Sequence, residues 1–127
     1  WVAAEANYGF GTGTPWLPQP TDWARYAMDA QSADPASTLN FYRTMVGLRH
    51  NHPALGGIGG LTWIDSAPEI MHFTREPGLE VVVNTSGVPA TVKVSGQRIL
   101  LASQAGVKAT DGVLQLPTDT TVWLERN

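Results

Sequence analysis

Seven short runs, at 61–64, 69–74, 79–84, 90–94, 98–101, 112–116 and 120–124, are each rich in apolar or β-branched residues. Turn-forming clusters such as Asp65-Ser66-Ala67-Pro68, Glu76-Pro77-Gly78 and Thr110-Asp111-Gly112 separate them. Short strands at roughly 8–12-residue spacing predict an antiparallel sandwich or Greek-key barrel. Within one of them, Thr91, Lys93 and Ser95 alternate with Val92 and Val94, the pattern of a sheet with one wet face and one packed face.

The residues before Gly56 follow a different rule. From 34 to 50 the apolar residues Leu39, Phe41, Tyr42, Met45, Val46 and Leu48 fit a broad helical stripe better than strand alternation. Asp34 is expected to cap this helix and Pro35 to occupy its first position, where a missing N–H costs nothing. Arg49, His50 and His52 crowd the far end, where positive charge meets the negative end of the helix dipole, and Pro53 stops it. Earlier still, residues 1–33 are rich in Gly, Pro, Thr and aromatics and read as a long loop. Loops of that length in compact proteins serve a site or an interface. Gly56, Gly57, Gly59 and Gly60 suggest a hinge between the two parts. The expected division is therefore 1–55, loop and helix, and 56–127, an antiparallel β domain.

Composition narrows function mainly by exclusion. The chain has 127 residues, 8 basic and 11 acidic, for a net charge of −3. With no basic block and only two lysines, Lys93 and Lys108, neither nucleic acid nor a membrane surface is an expected partner. The absence of cysteine rules out disulfides and thiolate metal sites. It suits a reducing cytosol, the expected location, and is also common in secreted bacterial proteins. No run approaches ~18 apolar residues, the length of a membrane-spanning helix.

The order of motifs from Gly9 to Leu55 is more telling. A Gly9-Phe10 turn, the segment Pro15-Trp16-Leu17-Pro18, a helix carrying Tyr42-Arg43, Leu48-Arg49 and the exit Asn51-His52-Pro53-Ala54-Leu55 follow one another. This string resembles the C-terminal portion of glycoside hydrolase family 13, the α-amylase family, with α-glucosidases and oligo-1,6-glucosidases most alike. Val81-Val82-Val83-Asn84 is similar to that family's valine-rich strand ending in Asn. The resemblance implies that the helix is the last helix of a (β/α)₈ barrel otherwise absent. A whole barrel takes about 250 residues, so the chain is expected to be a fragment.

The resemblance also implies a bacterial parent enzyme that hydrolyses α-1,4 or α-1,6 glucosidic bonds with retention, through two carboxyl groups about 5–5.5 Å apart. None of the family's motifs around those carboxylates occurs in the chain. Asn51-His52 precedes Pro53 and is not the family's Asn-His-Asp motif. No catalytic residue, cofactor or metal ligand is assigned, and the chain alone is expected to be inactive. Its expected partner is the parent barrel, or a second chain docked on the helix stripe, with an α-glucosidic oligosaccharide as the parent's substrate.

Sugars stack their C–H faces on aromatic rings, and Tyr8, Phe10, Trp16 and Trp23 concentrate in the loop. Packing of the loop on its barrel is the main expected role, with direct sugar contact second. Phe10 and Trp16 are the candidates for the substrate-pocket rim. Glu69, Glu76, Glu80, Asp111 and Asp119 are expected to be solvated charges. His72 is expected to be a surface or hydrogen-bonded structural residue, and Trp63 and Trp123 to pack in a core or against another domain. Arg43 is expected to tie the helix to the barrel. The alternative reading is a stand-alone carbohydrate-binding or assembly β domain, which would have no need of the helix stripe.

Overall fold

The computed structural model describes residues 1–96 and 98–126. These form two compact units, Trp1–Gly47 and Leu48–Asn127.

In the first unit, the expected loop is partly helical. Two 3₁₀ turns, Ala6–Gly9 and Thr21–Tyr26, precede the short helix α1, Met28–Ala33. Helix α2 then runs Thr38–Asn51, starting three residues later than a cap at Asp34 would have it. The cap is Ser37, whose Oγ accepts from Asn40 N at 3.2 Å. Asp34 instead ends α1, and its Oδ1 accepts from Ala36 N at 2.9 Å. The reason lies in the unpaired carbonyls at the end of α1. Ser37 Oγ donates to Gln31 O at 2.6 Å, and Asn40 Nδ2 donates to Gln31 O and Asp34 O at 3.0 and 2.8 Å. Those bonds require a turn at 34–36, which Pro35 suits better than continued helix. Arg43 is also engaged locally, donating to Ser32 Oγ and Asn40 Oδ1.

The second unit is the anticipated antiparallel β domain, preceded by the one-turn helix α3, Pro53–Gly56. Eight strands are described: β1 Leu61–Trp63, β2 Ile70–Arg75, β3 Leu79–Asn84, β4 Ala90–Lys93, β5 Arg98–Ala102, β6 Lys108–Thr110, β7 Val113–Leu116 and β8 Thr120–Glu125. Seven correspond to the runs read from sequence, and β6 is additional. They form a five-stranded sheet ordered β1-β2-β3-β8-β5 and a three-stranded sheet ordered β4-β7-β6.

Val82, Val122 and Leu124 from the larger sheet cluster with Leu114 and Leu116 from the smaller one, all five essentially inaccessible to water. Each such side chain contributes roughly 1.5–3 kcal/mol by burial. The opposite face of the larger sheet holds a second cluster, in which Leu79 and Val81 are buried with Ala54 and Leu55 of α3 and packed by Leu48, Phe73 and Trp123. Strand β3 is therefore covered on both faces, which is why its sequence is a nearly continuous apolar run rather than an alternation.

The glycine-rich segment is not simply a hinge. A Cβ on Gly59 would lie 1.9 Å from Glu76 O, so the chain passes this strand end at a distance only glycine permits. Glu76 N donates to Gly60 O at 3.2 Å and Arg75 Nη2 to Gly57 O at 2.7 Å, fastening the segment further. Gly60 has nothing within 4 Å of the corresponding position. Gly59→Ala is accordingly expected to cost about 1–3 kcal/mol, the range for overpacking, while Gly60→Ala is nearly neutral. Urea denaturation of the two variants side by side checks this.

Candidate functional site

The aromatic loop is braced from within. Asn7 and Tyr8 hold positive φ, 51° and 53°, at a cost of roughly 1–2 kcal/mol per residue for non-glycine side chains. The surrounding bonds explain why the conformation persists. Asn7 Nδ2 donates to Gly11 O and Gly13 O at 3.1 and 2.6 Å, and the Tyr8 hydroxyl to Pro20 O at 3.1 Å. The start of the chain is tied to the same body, with Trp1 Nε1 donating to Trp23 O at 3.3 Å and Ala3 N to the Asp29 carboxylate at 3.0 Å. The bond from Ala3 holds the Asp29 carboxyl below the usual carboxylate range.

Four rings form a chain of near neighbours. The centroid of Trp1 lies 5.7 Å from Phe10 and 6.4 Å from Trp23, and Trp23 lies 6.4 Å from Tyr8. Phe10 and Trp23 also line a cavity of about 600 Å³, together with Asn7, Thr14, Trp16 and Leu17. The structure thus brings the two sequence candidates, Phe10 and Trp16, to one groove. It adds Trp23 to them, which the residue pattern had grouped with the loop but not with the rim. Trp16 is 89% exposed and Phe10 63%. No ionisable side chain lines the cavity among the described residues.

In the β domain, one carboxylate departs from expectation. Glu80 is not solvated: its side chain is wholly buried on the inward face of β3. Its Oε1 accepts from His72 Nε2 at 2.6 Å, and its Oε2 accepts from Ser95 N and Ser95 Oγ, both at 2.9 Å, and from Gly96 N. Sequence reasoning missed this because a Glu in a strand normally marks the wet face, and its partners lie 8 to 16 residues away in sequence. The usable signal was the position of Glu80 inside an otherwise apolar run, where a charge must find partners. His72 takes the hydrogen-bonded structural role expected of it.

Other residues fall as follows. Glu69, Glu76, Asp111 and Asp119 are exposed, with Glu76 paired to Arg126 at 3.1 Å. His52 caps α3, its Nδ1 accepting from Ala54 N at 3.2 Å. Trp123 packs into the second cluster, whereas Trp63 is 60% exposed on the edge strand, its only ring neighbour Phe73 at 5.2 Å. Strand β1 is the edge of the larger sheet among the described residues, so Trp63 stands largely in water rather than in a core. Among the described residues no group of three His, Cys, Asp or Glu side chains could hold a metal ion. No helix among them is long and apolar enough to cross a membrane.

No family model matches the chain. An oligo-1,6-glucosidase from Parageobacillus thermoglucosidasius is 31% identical over 78 residues, covering 61% of this chain and 14% of that enzyme. The trehalulose synthase MutB superposes with a TM-score of 0.77 at 27% identity, over 98% of this chain and 24% of that one. These likenesses support the resemblance to the C-terminal portion of glycoside hydrolase family 13. An isomaltulose synthase from Klebsiella sp. LX3 shares the fold, with a TM-score of 0.77 at 22% identity over 96% of this chain. The segment spans 14% of the length of the glucosidase and about a quarter of MutB, and both of its units fall within the superposed region.

Proposed function

We propose that this segment is the non-catalytic C-terminal part of an α-glucosidase-like enzyme that hydrolyses α-1,4 or α-1,6 glucosidic bonds with retention. The carboxylates that act on the bond would belong to a (β/α)₈ barrel, and the role of this chain would be to cover and brace that barrel. The supporting observation is the imbalance between the two units. Within Trp1–Gly47 only Ala27 and Ser37 are buried, while Trp1, Phe10, Trp16, Leu17, Tyr26, Met28, Tyr42 and Val46 are exposed. So much apolar surface on one body marks an interaction face. The β unit, by contrast, has two complete clusters of its own.

In this reading Tyr42 and Val46 of α2 meet the barrel, and Phe10 and Trp16 stand at the rim of the substrate pocket. A retaining mechanism needs a nucleophile and an acid/base flanking the scissile bond. Glu80, buried and fully engaged, can be neither, and among the described residues no other acidic side chain is buried. The purified 127-residue chain is therefore expected to release no p-nitrophenol from p-nitrophenyl α-glucoside. Turnover above the buffer rate that copurifies with the chain would overturn the proposal.

A further inference from the structure

We infer that the β unit associates with a second copy of itself through strand β1, the two β1 strands pairing antiparallel so that the larger sheets of two molecules become one. Every residue in the contact belongs to the unit that has its own complete clusters, so the association is independent of the proposed function.

A sheet edge presents a row of unpaired backbone donors and acceptors, and proteins that stay apart blunt their edges with charged side chains or a bulge. Among the described residues the two sheets have four edge strands, β1 and β5 in the larger and β4 and β6 in the smaller. Three of the four are guarded. Exposed Lys93 stands on β4 and exposed Lys108 on β6. Strand β5 begins with exposed Arg98 and is bulged between Ile99 and Leu101. Strand β1 carries neither device: Leu61, Thr62 and Trp63 are all exposed and uncharged, and its register with β2 is regular. β1 and β6 are equally short, so length does not separate them and charge does.

The phase of the hydrogen bonds identifies the free groups. Glu76 N donates to Gly60 O at 3.2 Å and Ile64 N to His72 O at 2.9 Å, so the even-numbered residues of this stretch bond inward to β2. In an antiparallel ladder the alternate residues turn their N–H and C=O the other way. Leu61 and Trp63 therefore offer two donors and two acceptors outward. Setting Leu61 opposite Trp63 of the other copy, about a twofold axis at Thr62, satisfies all of them at once. A contact of this kind uses the same patch on both molecules and closes as a dimer.

The side chains fit the same register. Leu61 and Trp63 share the face of the sheet that holds Phe73, whose ring lies 5.2 Å from that of Trp63 and which packs on the second cluster. In the dimer each Trp63 meets Leu61 of the other copy, a favourable cross-strand pair. Asp65 would stand opposite Gly59 of the other copy, so the two aspartates stay apart. The occupant follows from the same features. A foreign strand is selected by side-chain pockets or charge, and β1 has no charge to select one. Its complement is another uncharged edge, and among the described strands β1 is the one edge of that kind.

Sedimentation equilibrium of the 127-residue chain from about 10 μM to 1 mM measures the association, and amide hydrogen exchange at both ends of that range locates it. Contact through one short strand belongs to the small, weak class of interface. A dimer forming within this range is therefore expected, with the Leu61 and Trp63 amides exchanging more slowly at high concentration. Leu61→Pro deletes an outward N–H at an edge position that tolerates proline. It removes one hydrogen bond from each half of the dimer and should weaken association about tenfold or more. Trp63→Lys, at a second exposed position, supplies the missing charge and should have a similar effect. Tyr42→Lys, on the exposed stripe of α2, should leave the dimer unchanged. A monomer throughout the range would overturn the inference, as would a dimer whose Leu61 and Trp63 amides exchange equally fast at both concentrations. Association lost in Tyr42→Lys and kept in both β1 variants would overturn it too, and would assign the contact to the helix stripe.

Discussion

Glu80→Ala is expected to destabilise the chain by about 3–5 kcal/mol, since it removes one partner from a buried, hydrogen-bonded carboxyl–imidazole pair and leaves the other unmatched. The substitution strips hydrogen bonds from the buried His72, from the Ser95 hydroxyl and from the backbone amides of Ser95 and Gly96. It also unpins the turn after β4 from β3, two elements that belong to different sheets. The turn has little freedom to compensate, because a Cβ on Gly96 would stand 2.4 Å from Leu124 Cβ. For a domain whose total stability is about 5–15 kcal/mol, a loss of this size lowers the melting temperature by tens of degrees, at roughly 4–8 °C per kcal/mol. Glu80→Gln keeps the shape but turns one acceptor into a donor facing donors, so it should fall between wild type and Glu80→Ala. A double-mutant cycle with His72→Gln separates the pair from the turn, and strong coupling is expected because the two groups share one network. Urea unfolding followed by tryptophan fluorescence reads all five proteins. A loss below about 1 kcal/mol for Glu80→Ala, the scale of an exposed pair, would mean that the carboxylate is solvated after all.

The β domain was legible because its signals are local and repeated. Each strand run carries its own β-branched residues, and the turns between them contain Gly, Pro or Asp, so neither needs distant information. Strand β6 escaped notice because Lys108-Ala109-Thr110 has one apolar residue and is a strand only by pairing with β7. The start of α2 was misplaced for a related reason. Asp34-Pro35 is a good local start signal, but the competing bonds from Ser37 and Asn40 to the carbonyls ending α1 depend on α1 being there. A short helix such as α1, without a side-chain cap or a basic last turn, leaves no mark that a sequence pattern can register.

The candidate site was legible in part. Phe10 and Trp16 were singled out by residue type and loop context, and they do share a groove. What could not be read was the scaffold behind them. The positive φ at Tyr8 is unusual for a large side chain and is maintained by bonds to Pro20 and Val2 that no spacing rule anticipates. Buried polar networks are illegible for the same reason. Their members are far apart in sequence, and each looks ordinary alone, as Glu80, His72 and Ser95 do.

Asn84→Asp is expected to be the second most damaging change, although it alters a single atom. Asn84 is fully buried at the end of β3, and its amide uses every hydrogen-bonding position it has. Nδ2 donates to Val88 O at 2.9 Å and Pro117 O at 2.8 Å, while Oδ1 accepts from Ser86 N at 3.0 Å and Ser86 Oγ at 2.7 Å. One side chain thereby joins the turn after β3 to the turn after β7. An aspartate cannot donate, so an oxygen would face two carbonyl oxygens, and the carboxylate would have to ionise without a cation or take up a proton. Protonation restores one donor, which fixes the sign of the pH dependence. Burial and the facing carbonyls raise the folded-state pKa of the new carboxyl above its unfolded value, so the variant binds the proton more tightly when folded and is most damaged above that pKa. At neutral pH the loss should be about 2–4 kcal/mol, from desolvation of unpaired buried groups, and it should shrink as pH falls through the folded-state pKa. Asn84→Ala leaves the same partners unmatched but adds no charge, so its loss should show no such recovery in acid. Comparing the urea midpoints of the two variants, each against wild type, at neutral and mildly acidic pH tests the argument. Equal pH trends for the two would show that the donor role assigned to Nδ2 is wrong.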